Sequence, residues 1–126
     1  MILGTGIDII EVERIETAFK KFGERFVQRI LCPAEIAYCL SHKSPGPFLA
    51  ARFAGKEAIS KAFGTGIGAQ LAWQDMEICR KESGEPYVTL HGKGQTLLAE
   101  RGGRIVHISL SHTEKHATAV AILESV

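Results

Sequence analysis

The sequence predicts an α+β domain, and three observations lead to this prediction. A strand-like apolar run opens the chain, several helical patterns cluster after it, and two pairs of apolar strands complete it. Helices grouped between antiparallel strands are typical of α+β folds, whereas doubly wound α/β folds alternate single strands and helices. No repeat or long linker divides the 126 residues, so we expect a single domain over residues 1–126.

The first half of the chain is predicted to hold one strand and four helices. The isoleucine-rich start reads as a buried strand. Apolar residues at helical spacing follow, and Gly23 and Gly64 stand where helices end, while Pro33 suits a first helical turn. The predicted elements are a strand over 2–10 and helices over 11–22, 25–31, 33–40 and 48–63.

The second half is predicted to hold two hairpins and one short helix. A glycine-rich loop covers residues 65–70, and the turn over 82–85 separates the first two strands. The predicted elements are strands over 73–80 and 86–91, a helix over 93–101, and strands over 105–111 and 117–123.

Composition excludes several classes of protein. No stretch reaches the roughly 20 apolar residues of a membrane span, and the first ten residues lack the basic start of a signal peptide. A formal charge of +1 gives no reason to expect nucleic acid as partner. Three scattered cysteines without a C-x-x-C pair predict reduced thiols in a cytoplasmic protein, not a disulfide framework or a zinc site.

Two sets of charged residues stand out. Asp8 lies in an apolar run, where a buried carboxylate needs a cation or hydrogen-bond donors; an exposed aspartate that caps the next helix explains it equally well. Glu57 and Lys61 share one face of the long helix. They could form a solvated ion pair, or they could be part of a site.

Three further patterns allow a functional or a structural interpretation. The glycines after the long helix could let backbone N–H groups approach an anion, or could simply cap that helix. Ser111 and His112 could donate to a phosphate or belong to an ordinary turn. The basic residues Arg14, Lys21 and Arg25 could form a solvated helix face or a docking strip for an acidic partner helix.

Taken together and in order, these segments resemble the holo-acyl-carrier-protein synthase branch of the 4′-phosphopantetheinyl transferases. The resemblance begins with GTGIDI at residues 4–9 and with Arg14-Ile15. RFAGKEA at 52–58, with its F-x-x-K-E-A core, and SKAFGTGIG at 60–68 resemble the signature helix and loop. WQDMEI at 73–78, GEPY at 84–87 and HISLSH at 107–112 resemble the two hairpins, so the resemblance covers essentially the whole chain.

The resemblance implies a fold, a reaction and a metal. We expect the phosphopantetheinyl transferase fold and transfer of the 4′-phosphopantetheine arm of coenzyme A to a serine of apo acyl carrier protein, in fatty acid biosynthesis. Asp8 and Glu57 are expected to bind Mg²⁺, although Mn²⁺ also suits oxygen ligands. Lys61 is expected to stabilise charge. Glu57 is the expected proton acceptor, either directly or through a water on the ion.

The resemblance also implies ligand contacts and partners. The family's coenzyme A contacts fall on Arg52, Lys61, Gly64, Thr65, Gly66, Ser111 and His112. Arg14, Lys21 and Arg25 are expected to dock the acidic carrier protein, with Arg14 matching best because the following loop varies in length. Gly55 stands where the family commonly has alanine or valine. We expect this difference to affect the stability of the helix and not the function. The resemblance to the short members of the family implies a trimer with sites between neighbouring chains, so we expect a homotrimer.

Three other classes of protein compete with the transferase. A module that only binds coenzyme A gains nothing from two carboxylates without a metal. An Mg²⁺-dependent pyrophosphate hydrolase would use the same ligands and turn over without carrier protein. A trimeric scaffold would leave Asp8, Glu57 and Lys61 unexplained.

Overall fold

The computed structural model describes residues 1–125 and has the predicted α+β architecture. The elements in chain order are β1 (Ile2–Glu11), α1 (Val12–Phe22), α2 (Glu24–Ile30), α3 (Pro33–Leu40), α4 (Gly46–Phe63), β2 (Met76–Arg80), β3 (Pro86–Leu90), α5 (Lys93–Glu100), β4 (Gly103–His112) and β5 (His116–Ser125). The prediction of a strand over 73–80 was wrong at its start, because Trp73–Asp75 forms a 3₁₀ turn. The Asp75 N–H donates to the Ala72 carbonyl oxygen (3.1 Å), and the Ala72 N–H donates to Asp75 Oδ2 (2.9 Å).

The strands form two antiparallel sheets. One has the order β1-β5-β4, and the other is the hairpin of β2 and β3. In the larger sheet, Asp8 of β1 pairs with Ala119 of β5, which in turn pairs with Leu110 of β4. Asp8 therefore lies at the middle of an edge strand.

Helix α4 is the centre of the molecule and is buried on most of its surface. It covers one face of the larger sheet and also contacts α1 and β2. Two glycines of β1 allow an unusually close approach: a Cβ at Gly4 would lie 3.1 Å from the Ala62 carbonyl carbon, and one at Gly6 would lie 2.8 Å from Ala62 N. The backbone of β1 thus packs directly on the backbone of α4.

The opposite face of the larger sheet is exposed, which corrects one prediction. The run over 2–10 was expected to be a buried strand, but Ile7 and Ile9 are 67% and 68% exposed. Side chains alternate along a strand, and α4 covers only the face to which Gly6, Asp8 and Ile10 belong. The same outer face carries exposed Val120.

None of the helices within residues 1–125 has the length and apolar character that a bilayer span requires.

Candidate active site

The contact between β1 and α4 brings together three of the predicted residues. Lys61 Nζ lies 3.1 Å from Asp8 Oδ1 and donates a second hydrogen bond to the Ile7 carbonyl oxygen (3.0 Å). Glu57 lies one turn before Lys61, close enough to Asp8 for the two carboxylates to repel each other. Asp8 is 53 residues from Lys61 in sequence. The two glycines of β1 allow the strand to approach α4 closely enough for these side chains to meet.

The electrostatics of this carboxylate pair favour a cation. Burial raises the pKa of Glu57, repulsion from Asp8 raises that pKa further, and only the Lys61 ammonium lowers it. The Asp8 side chain is 18% exposed and the Lys61 side chain 51% exposed, so the cluster is half-buried at the surface and accessible to a ligand. Oxygen donors of this kind, with room for water, suit Mg²⁺ or Mn²⁺ and not zinc.

The glycine-rich loop after α4 caps that helix. Gly64 and Gly66 have positive φ values of 78° and 67°, where glycine is favoured. The N–H groups of Gly64, Thr65 and Gly66 donate to carbonyl oxygens of Lys61 and Ser60, at 3.0 to 3.3 Å. These N–H groups are therefore occupied, and a coenzyme contact at this loop would have to use other atoms.

Arg52 lies on another side of α4 from the carboxylates and is buried. Its guanidinium stacks on the Tyr38 ring, 4.4 Å from the ring centroid, and its Nε has no hydrogen-bond partner within residues 1–125. Arg80 stacks at 4.7 Å over the same ring. This basic and aromatic cluster borders a surface cleft that Glu77 and Tyr87 also line.

Ser111 and His112 end β4. The His112 ring meets Phe48 of α4 edge-to-face, with centroids 5.1 Å apart, and Phe48 stacks on His42 at 3.5 Å. Ser111 is exposed, and strand alternation places it on the outer face of the sheet, opposite His112. The structure thus does not bring Ser111 to the Asp8 side of its own sheet.

Arg14, Lys21 and Arg25 are all exposed on α1 and α2. None of them joins an ion pair within residues 1–125. Phe22, 55% exposed, lies beside Lys21, whose Nζ is 5.3 Å from the ring centroid. These side chains are exposed cations near an exposed apolar ring, and their role in docking a partner stays a prediction.

Sequence reasoning missed a buried ion pair that supports the signature helix. Lys56, wholly buried, donates to Glu35 Oε1 (2.7 Å), to the Ile30 carbonyl oxygen (2.7 Å) and to the Trp73 carbonyl oxygen (3.1 Å). Glu35 in turn accepts from the N–H groups of Cys32 and Ile78. Lys56 stood out in the sequence only as part of the signature motif, and no local pattern marked Glu35 as its partner.

The family model of the 4′-phosphopantetheinyl transferase superfamily matches residues 4–121. The chain therefore belongs to this superfamily, which confirms the resemblance found in the sequence.

Individual relatives carry a more specific name. The holo-[acyl-carrier-protein] synthase of Koribacter versatilis is 50% identical over 124 residues, which are 98% of this chain and 99% of that protein. The crystal structure of the Neisseria meningitidis synthase has a TM-score of 0.92 at 36% identity, covering 99% of this chain and 100% of the other. The Helicobacter pylori synthase in complex with coenzyme A has a TM-score of 0.85 at 34% identity, covering 95% and 99%. These neighbours confirm the α+β fold.

Proposed function

We propose that this chain transfers the 4′-phosphopantetheine group of coenzyme A to a serine hydroxyl of apo acyl carrier protein. The products are holo carrier protein and adenosine 3′,5′-bisphosphate, and the reaction supports fatty acid biosynthesis. The family match and the coenzyme A complex of the H. pylori relative support this activity. The observation that carries the mechanism is the β1–α4 contact, which joins Asp8, Glu57 and Lys61 at one accessible point.

Asp8 and Glu57 would hold a Mg²⁺ ion, for which Mn²⁺ is a chemical substitute. Their donor set fits this ion. The two carboxylates repel each other at a half-buried surface, and within residues 1–125 Lys61 is the one cation that offsets their charge. When bound, the ion would neutralise negative charge on the coenzyme A pyrophosphate.

The residues of this chain would act in one displacement. The serine oxygen attacks the phosphorus that bears the pantetheine arm, and the bond from that phosphorus to the bridging oxygen breaks. Lys61, held at the site by Asp8 and the Ile7 carbonyl, faces charge that grows on the phosphate oxygens. Glu57 accepts the serine proton, either directly or through an intervening water.

The remaining coenzyme contacts would lie at Arg52, Ser111, His112 and the loop from Gly64 to Gly66. Arg52 offers a buried guanidinium with an unpartnered Nε, and His112 offers an exposed ring beside Phe48. Both groups suit phosphate or adenine. Ser111 belongs to the outer sheet face, so it would reach a coenzyme held by a neighbouring chain.

Arg14, Lys21 and Arg25 would bind the acidic carrier protein. Their charges are exposed and unpaired within residues 1–125, and Phe22 adds an apolar contact beside them. Such a strip mainly sets the rate of encounter and the choice of partner.

The active assembly would be a homotrimer. The larger sheet leaves one face uncovered, and large apolar side chains stand on it: Ile7, Ile9, Ile105 and Val120 are 67, 68, 38 and 37% exposed. An exposed apolar face of this extent favours association. Light scattering should give three times the chain mass, and Ile9→Glu should lower that mass and turnover together. A monomer with full turnover would contradict this assembly.

The decisive experiment mixes the chain with apo acyl carrier protein, coenzyme A and Mg²⁺ and records the intact mass of the carrier. We expect a gain of one phosphopantetheine group. EDTA and Asp8→Ala should each abolish the gain, whereas Glu100→Gln, an exposed carboxylate at the end of α5, should not.

Other outcomes separate the competing functions. Coenzyme A binding with no change in carrier mass would favour a binding module. Release of adenosine 3′,5′-bisphosphate without carrier protein would favour a hydrolase.

A further inference from the structure

A second group of metal-ligating side chains lies on other elements than Asp8 and Glu57. Cys32 precedes α3, Glu77 lies in β2, and His91 follows β3. The Cys32 Sγ, one Glu77 carboxylate oxygen and one His91 ring nitrogen all lie within 4.8 Å of one another. The Glu77 Oε1 and His91 Nε2 atoms are 2.7 Å apart.

We propose that Cys32, Glu77 and His91 bind a divalent transition-metal ion, with Zn²⁺ as the best fit. Thiolate, carboxylate and imidazole ligands bind zinc at about 2.0–2.3 Å, so a tetrahedral site separates its ligand atoms by about 3.5 Å. The observed group needs adjustments of about 1 Å to reach that geometry. His91 can supply them, because its side chain is 46% exposed, whereas Cys32 is fixed at 8% exposure.

The charges around the group balance once a divalent ion is bound. Cys32 is a thiol in the free chain and would release its proton to solvent on binding the ion. The resulting thiolate and the Glu77 carboxylate would together neutralise the ion, and neutral His91 adds no charge. Lys56 is the nearby cation that would oppose a metal, but Glu35 pairs with it at 2.7 Å. A metal would therefore leave no net charge on the buried side of the group, where an uncompensated charge is costly.

The donor types separate this group from the site at Asp8. Mg²⁺ prefers oxygen ligands and avoids thiolates, while zinc accepts sulfur, nitrogen and oxygen. The two sites would therefore select different ions.

A bound ion would link the start of α3 to the hairpin of β2 and β3. Without it, the Cys32 thiol makes weak contacts with the Gln74 and Met76 carbonyl oxygens, at 3.7 and 4.0 Å, and lies beside the Glu35 carboxylate. Because the three ligands are far apart in sequence, the ion would bind the folded chain preferentially and raise its unfolding temperature.

Cobalt titration tests this site directly. The full-length chain without an affinity tag is stripped with EDTA, desalted and titrated with Co²⁺ while its near-ultraviolet spectrum is recorded. We expect a sulfur-to-cobalt charge-transfer band that saturates at one ion per chain. Zn²⁺ should remove the band, and excess Mg²⁺ should not.

Matched variants identify the ligands. Cys32→Ala should abolish the band, while Cys79→Ser, a neighbouring thiol in β2, should retain it. Asp8→Ala should also retain it, which separates this site from the proposed magnesium site. His91→Gln alters an exposed side chain and should weaken Co²⁺ binding by at least about tenfold, with an unchanged unfolding temperature in EDTA. Absence of the band, its persistence in Cys32→Ala, or its loss in Asp8→Ala would overturn the proposal.

Discussion

The close packing of β1 on α4 predicts that Gly6→Ala disrupts the active site without touching any of its charged groups. The new Cβ would lie 2.8 Å from Ala62 N and 2.9 Å from the Ala58 carbonyl carbon, with the Ala58 carbonyl oxygen closer still. Restoring an ordinary contact of 3.4 Å to the nitrogen alone takes about 0.6 Å, and the oxygen requires more. Strand and helix must therefore separate by on the order of 1 Å.

This separation has two measurable consequences. Overpacking of this kind costs about 1–3 kcal/mol, which lowers the unfolding temperature of a chain of this size by roughly 3–12 °C. Asp8 would also move away from Glu57 and Lys61, and a displacement of about 1 Å can reduce turnover by about 10²-fold. The KM for carrier protein should change little, because the docking strip lies on other helices.

The assay compares Gly6→Ala with Gly68→Ala by thermal unfolding and by carrier-protein mass gain over time. Gly68 is the matched control, since a Cβ there meets nothing within 4 Å. It should keep both the unfolding temperature and turnover. Wild-type stability and turnover in Gly6→Ala would refute the argument that direct backbone packing holds the carboxylates together.

Three further predictions follow from individual charges. Lys56→Met leaves the buried Glu35 carboxylate without its cation, so the free energy of unfolding in urea should fall by about 3–5 kcal/mol. A second change, Glu35→Gln, removes the unpaired charge and keeps an acceptor oxygen for the buried N–H groups, so it should recover part of the loss; no recovery would speak against the pair. In EDTA, Glu57→Gln should stabilise the fold above about pH 4.5, the usual pKa of this carboxyl. Because the pKa of Glu57 is raised in the folded chain, the wild type loses stability as this carboxyl ionises, whereas the glutamine variant has no group that ionises there. Well below that pH, the carboxyl is protonated in both states, and the two melting curves should coincide. Arg14→Glu should raise the KM for carrier protein most strongly at low salt, and an equal KM there would remove Arg14 from the docking strip.

The sequence predicted helices well where the signal is local. Helix α3 was predicted with the bounds that the structure has, and α4 differs only by starting at Gly46. Alanine content, spacing of apolar residues and terminal glycine or proline all act within one element, so they are readable without the fold.

The candidate site depended on contacts that no local pattern contains. The resemblance selected Asp8, Glu57 and Lys61, but the reason they meet is the absence of side chains at Gly4 and Gly6. In the sequence these glycines look like weak positions in a strand. Their value becomes visible only when α4 is placed against them.

The exposed isoleucines of β1 also could not be predicted from the local sequence pattern. An apolar strand predicts burial, yet Ile7 and Ile9 face outward because a single helix layer covers only one face of the sheet. The prediction of a buried strand was therefore wrong for the single chain. In the proposed trimer, a second chain would bury these side chains. Strand patterns report the environment of a residue in the functional assembly. For this chain, the mismatch between an apolar strand and an exposed sheet face is the observation on which the proposed trimer rests.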